Sequence, residues 1–194
     1  MSVILLSPAR GRGWVRGRRR KMKPELITLC GLAFSGKSTI ARRVAAELGA
    51  ELISYDAINA ARGFDGGTVM NDSEWEKTSL MAAATARAVL ASGRGVVVDD
   101  TFSHRFLRDR FAAVARAAGV PFVLLFVDTS LAVIEARLAE NERTQARHHI
   151  APEVFAHHRA RFQFPGDDEQ PVRLASAADV DRWLAGRRGA SVPA

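Results

Sequence analysis

The chain has 194 residues, 47% of them hydrophobic, which suits one domain with enough apolar material for a core. Its net charge of +7 is unevenly placed: residues 1–23 hold eight basic groups and no acidic one, and the remaining 20 basic residues face 21 acidic ones, so the domain lacks the surplus needed to coat a nucleic-acid backbone. The single cysteine excludes an internal disulfide framework, and no apolar run reaches the ~20 residues that cross a bilayer, so a cytoplasmic chain is expected.

Residues 1–23 pass from the short apolar run Val3–Leu6 to GRGWVRGRRRK, which has no sustained period and reads as a disordered basic extension. It is an arm for anionic surfaces, a targeting segment, or an upstream extension of a chain that begins at Met22. A secretory signal is disfavoured because the apolar part is short and precedes the basic part. The domain is expected over 24–188, followed by a tail at 189–194.

Leu26–Cys30 reads as the first strand, with Cys30 a buried structural thiol. It runs into GLAFSGKST, Gly31 to Thr39, which fits the spacing G-x-x-x-x-G-K-[ST]. Phosphate is charged but offers side chains little shape, so a Gly-containing loop and the helix N-terminus behind it surround it with backbone N–H groups. Gly31, Leu32, Ala33, Phe34, Ser35, Gly36, Lys37, Ser38 and Thr39 are therefore the expected nucleotide contacts. Lys37 would bridge the terminal phosphates, and Ser38 would place its hydroxyl on Mg²⁺. The apolar strand before the loop and the helical spacing of Ile40–Leu48 after it, closed by Gly49, separate this reading from a chance Gly-rich turn.

A second strand, Glu51–Tyr55, ends at Asp56, and Ala57–Asn71 with Gly63, Gly66 and Gly67 reads as a mobile connection near the ligands. Ser73 and Glu76 form a capping box that opens a helix to Leu90, with Trp75 and Met81 as core or pocket wall. Gly95–Thr101 is a third strand whose continuous apolar run suits a parallel sheet covered on both faces, and it ends in Asp99 and Asp100. Ser103 is the expected cap of a helix to Ala118. A fourth strand, Val120–Asp128, then leads to a helix over Ser130–Glu140. The charged segment Asn141–His149 reads as a lid. A helix with Pro152 in its first turn follows, then a turn at Phe164–Asp168, a short strand Val172–Leu174 and a last helix over Ser176–Leu184.

In open α/β sheets, ligands bind beyond the carboxyl ends of the strands. That rule gathers the phosphate loop, Asp56 and the Asp99–Asp100 pair into one crevice. Phosphoryl transfer needs phosphate donors, a metal, a group for the acceptor proton and further cations. Asp99 or Asp100 is the candidate for the metal shell beside Ser38. Asp56 is the candidate base, with Asp100, Thr101 and Arg105 toward the acceptor, while of Arg105 and Arg108 one faces the acceptor and the other is solvated. Arg137, Arg143 and Arg147 are candidate phosphate clamps. His148-His149 and His157-His158 lack the spacing and partners of a zinc site.

These residues resemble the small P-loop kinases that include zeta toxins, chloramphenicol phosphotransferase and the kinase domain of polynucleotide kinases. The resemblance runs from Leu26 to Leu184. It is carried by GLAFSGKST, ISYD, VVVDDTF, FVDTSLAVIEARLAENERTQAR and FQFPGDDEQPVRL. It implies a five-stranded parallel sheet of order 2-3-1-4-5 with helices on both faces, ATP and Mg²⁺, phosphorylation of a hydroxyl, a base role for Asp56, and lid roles for Arg137 and Arg143. The expected acceptor is a small molecule or nucleotide-like compound. A polynucleotide 5′-hydroxyl kinase and a non-catalytic ATP-binding regulatory or toxin–antitoxin protein remain as alternatives.

Overall fold

The computed structural model describes residues 23–64, 70–146 and 150–189, with side chains to Arg187. The proposed start at Met22, the basic extension before it, Gly66, Gly67, Arg147, His148, His149 and the last five residues lie outside the described residues.

Five parallel strands, β1 (Leu26–Cys30), β2 (Glu51–Ser54), β3 (Val96–Asp99), β4 (Phe122–Val127) and β5 (Val172–Leu174), form one sheet of order β2-β3-β1-β4-β5. Every residue of β1 and β3 is buried. The pleat alone decides which layer each side chain joins. Leu26 and Cys30, with Val96, Val98, Leu124 and Phe126, pack under α3 (Asp72–Ala91) and α4 (Arg105–Ala117). Ile27 and Leu29, with Val97, Leu125 and Val127, pack under α1 (Lys37–Leu48) and α7 (Ala177–Gly189). Because both faces are covered, the strands carry continuous apolar runs in place of an alternating pattern. Cys30 is the expected buried thiol; its Sγ reaches the Phe102 carbonyl at 3.5 Å, and burial pushes its pKa up to about 12.

Five local expectations are corrected. The start of the connection after β2 is a helix, α2 (Tyr55–Ala61), because Ser54 accepts the Ala57 N–H as its cap and Tyr55 and Asn59 are buried. Asn71, not Ser73, caps α3: its Oδ1 takes the Glu74 N–H at 3.0 Å, and Glu76 binds Arg110 instead of closing a box. His104, not Ser103, stands at the N-cap of α4, with no side-chain capping bond. Helix α5 (Leu131–Thr144) continues one turn beyond Glu140, since Asn141 is buried on it, so the first residues of the expected lid are helical. Trp75 and Met81 are 43% and 47% exposed and are not core.

Helix α6 (Pro152–Arg161) begins with proline as its first-turn position predicts. Beyond it, a 3-10 turn at Asp167–Glu169 carries the most deeply buried ion pair among the described residues, which binds it to α4. Arg108, 2% exposed, donates through Nε and Nη2 to Glu169 at 2.5 and 2.9 Å, and through Nη1 to the carbonyls of Phe102 and Gln163 at 2.8 and 2.9 Å. Removing one partner strands the other charge. Arg108→Met is therefore expected to lower the unfolding free energy by about 3–5 kcal/mol, read from the urea midpoint. Adding Glu169→Leu to the same chain recovers most of that loss.

Candidate active site

The phosphate loop is shaped by its contacts with the two neighbouring strand ends. Gly31 sits at φ +154°, where a Cβ would lie 2.8 Å from the Val127 carbonyl oxygen, and its N–H donates to Thr101 O at 3.1 Å. Only glycine lets the chain pass this close to β4 while it is held to the corner after β3. Thr129, just past β4, donates from Oγ1 to Ser35 O at 2.8 Å. Gly36, at φ +101°, is the N-cap of α1 and has no side chain to occupy the helix's first N–H groups. Those donors are available to an anion, and the helix dipole points the same way.

Lys37 is 7% exposed, and its Nζ donates to Leu32 O at 2.7 Å. Burial lowers its pKa, opposed by the carboxylates of Asp100, Asp99 and, more weakly, Asp56. Asp99 closes β3, in register with Leu29 of β1 and Ser54 of β2. Burial raises its pKa, and a hydrogen bond from Ser38 and the charge of Lys37 pull it back. Asp100 is pushed up to about 6 by burial, against the N–H groups of Phe102, at 3.0 Å from Oδ2, and Thr101. Asp56 stands in the first turn of α2, exposed, and its charge acts on Lys37, Asp99 and Asp100 alike. The crevice thus brings together the residues expected there from three strand ends. The hydroxyl of Ser38 and the carboxylate of Asp99 are hard oxygen donors already in contact, which fits Mg²⁺. Among the described residues no cluster of three or more His, Cys, Asp or Glu forms a metal cage, and Mg²⁺ held largely by phosphate and water needs none.

The arginines divide differently from expectation. Arg137 reaches across from α5 and donates from Nη1 to Phe34 O at 2.9 Å, on the phosphate loop itself. Arg143, in the last turn of α5, is bound to Glu140 at 2.7 Å. Arg105, expected toward the acceptor, is held by Asp168 at 2.6 Å and by Asp109 at 3.6 Å, because the first turn of α4 faces the 3-10 turn. Arg108 is not solvated; it is the buried strut described above. Motif reading missed Thr129 and a second-layer network in which Tyr55 Oη donates to Ser79 at 3.0 Å and Arg110 grips Glu76 at 2.7 and 2.9 Å. Thr129 was recoverable from the strand-end rule. The network joins residues scattered over three helices and leaves no sequence spacing to detect.

A 2-3-1-4-5 parallel sheet with a G-x-x-x-x-G-K-[ST] loop between β1 and α1 defines a P-loop nucleotide-binding protein of the kinase-like type. The chain belongs to the AAA_33 family, described as an AAA domain, whose model matches residues 26–165. A shikimate kinase from Nitratidesulfovibrio vulgaris is 35% identical over 123 residues, 59% of this chain, and the chain spans only 63% of that relative. A gluconokinase from Gluconobacter oxydans is 23% identical over 163 residues, covering 82% of this chain and 87% of the relative. Among solved structures, Chaetomium thermophilum Kti12 in complex with ADP-AlF3 shares the fold with a TM-score of 0.67 at 20% identity, over 87% of this chain and 100% of that one. No helix among the described residues is long and apolar enough to cross a membrane.

The raised pKa of Asp100 means that the folded state binds its proton more tightly than the unfolded chain does. The resulting penalty is zero below the unfolded value of 3.8, grows as pH rises toward about 6, and is complete above it. Asp100→Asn should therefore stabilise the protein by about 2 kcal/mol at pH 7–8 and by little at pH 4, measured by urea unfolding of both proteins across that range.

Proposed function

We propose that the protein is an ATP-dependent phosphotransferase that moves the γ-phosphoryl group of ATP to a hydroxyl of a small-molecule acceptor. The observation that carries this reading is the buried Lys37 at the head of α1, facing carboxylates from the ends of β2 and β3 across one crevice. A binding module needs the loop and lysine; it does not need Asp56 and Asp100 opposite them. Relatives named as shikimate kinase and gluconokinase support the same reading. The finer resemblance to zeta toxins, chloramphenicol phosphotransferase and polynucleotide kinases rests on the motifs from Leu26 to Leu184.

In this reading the loop amides and Lys37 hold the β- and γ-phosphates, and Ser38 with Asp99 would hold Mg²⁺, which supplies charge neutralisation at the phosphate oxygens. Asp56 accepts the hydroxyl proton as the acceptor oxygen bonds to the γ-phosphorus and the bond to the bridging oxygen of ADP breaks. Asp100 and Thr101 line the acceptor side. Arg137 stabilises the transferring charge from the loop, and Arg143 is the next cation toward the lid. Closure of the lid excludes water and limits hydrolysis of ATP.

Asp56→Asn is expected to lower kcat by roughly 10²–10⁴-fold with nucleotide affinity retained, whereas Lys37→Ala loses transfer and phosphate binding together. Both are read by ADP release on an acceptor panel and by calorimetry with a non-hydrolysable ATP analogue. Transfer by Asp56→Asn at the wild-type rate removes the base role, and a wild type that binds ATP but phosphorylates nothing favours a regulatory protein.

A further inference from the structure

The acceptor side of the crevice is built by α2, the first turns of α3, and the corner from Asp99 into α4. Every lysine and arginine in residues 55–64, 70–80 and 99–112 is already in an ion pair. Arg62 is bound to Glu74, which also takes Lys77 at 2.6 Å. Arg110 spans both oxygens of Glu76. Arg105 and Arg108 are held by Asp168 and Glu169. Among the described residues the crevice carboxylates Asp56, Asp99 and Asp100 form no such pair; the cations whose charge reaches them are Lys37, which belongs to the phosphate side, and, at Asp99, Arg42 of α1. From α6 comes an uncharged group: His158 Nε2 is buried without a hydrogen-bond partner. Burial first, and then the charges of Lys37, His104 and the adjacent His157, lower its pKa to about 4.

An acceptor carboxylate or phosphate placed here finds arginines already paired with carboxylates and meets the acids Asp56 and Asp100, whose charge Lys37 offsets only in part. A hydroxyl or amine meets carboxylate oxygens able to accept from it: Asp56 is exposed, and Asp100 is held by backbone N–H groups that leave its charge without an ion-pair partner. An acidic group left unpaired in such a site carries its full desolvation cost.

We infer that the phosphoryl acceptor is an alcohol without an acidic group, neutral or amine-bearing, and that the site discriminates against hydroxy acids and phosphorylated alcohols. The inference rests on the phosphotransferase reading and narrows it. It also separates this chain from relatives whose names denote the acids shikimate and gluconate.

The test is a panel of alcohols in charge-matched sets, such as gluconate, glucitol and 1-amino-1-deoxyglucitol, or shikimate and methyl shikimate, extended to sugars, amino sugars and amino alcohols. ADP release and ³¹P signals of the phosphoester are measured against a Lys37→Ala blank. The best acceptor is expected to carry no acidic group, and its carboxylate counterpart to have kcat/KM at least about tenfold lower. A hydroxy acid or phosphorylated alcohol as the best acceptor overturns the inference and leaves the kinase reading standing. Silence of every class, with ATP still bound, overturns the kinase reading and the inference with it. In Glu76→Gln, which frees Arg110, the preference against the carboxylate should shrink about tenfold; an unchanged ratio overturns the role given to the ion pairs.

Discussion

The site depends on one electrostatic imbalance: three carboxylates, Asp56, Asp99 and Asp100, share a crevice with a single buried ammonium. Neither sign is comfortable alone. Burial drives Lys37 toward its neutral form and Asp99 and Asp100 toward theirs; hydrogen bonds from Ser38 to Asp99 and from the Phe102 and Thr101 N–H groups to Asp100, together with the attraction between lysine and acids, oppose it. Such an arrangement is unfavourable for the empty protein and favourable once phosphates face the lysine and a divalent cation faces the acids. Stability is lowered where ligand binding can restore it.

Holding these charges at fixed separations requires a stiff corner after β3. Its backbone is tied on every side: Thr101 O to the Gly31 N–H, Phe102 N to Asp100, and Phe102 O to both Cys30 and Arg108. Phe102 itself is fully buried at φ +46°, an uncommon conformation for a side-chain-bearing residue, with its ring edge-on to Phe111 at 5.2 Å. The Arg108–Glu169 pair then carries the corner's position to the 3-10 turn before β5. The phosphate loop and the acceptor corner are therefore one mechanical unit, joined at Gly31 and Thr101.

Legibility from sequence followed the range of the forces involved. The loop, the strand ends and the alternation of strand and helix are local patterns, and the sheet order follows from the resemblance those patterns carry. Asp56 could be placed by the strand-end rule even though the helix it stands on could not. Ala57–Asn71 reads as a connection because its three glycines dominate the composition, while the Ser54 cap and the buried face of Tyr55 and Asn59 make its first turns helical. Ser73 lost the α3 cap to Asn71 by two residues, and the two are hydrogen-bonded to each other at 2.8 Å, so the local chemistry offered both. The arginines were the least legible. Arg105, Arg108, Arg110 and Arg137 have the same chemistry in sequence, and their fates are set by carboxylates and carbonyls 34 to 103 positions away.

That division of arginines is what distinguishes the two halves of the crevice. On the donor side Arg137 lies against the phosphate loop with its Nη1 on the Phe34 carbonyl and, among the described residues, no ion pair to a carboxylate, so it keeps its net charge for an anion. On the acceptor side each guanidinium is spent on a carboxylate, and those pairs tie α2 to α3, α3 to α4 and α4 to the turn before β5. The same bonds that fix the acceptor wall thus remove its positive charge. A site for an acidic acceptor would have to leave one of these helix junctions unbridged, or add a cation beyond those the wall contains.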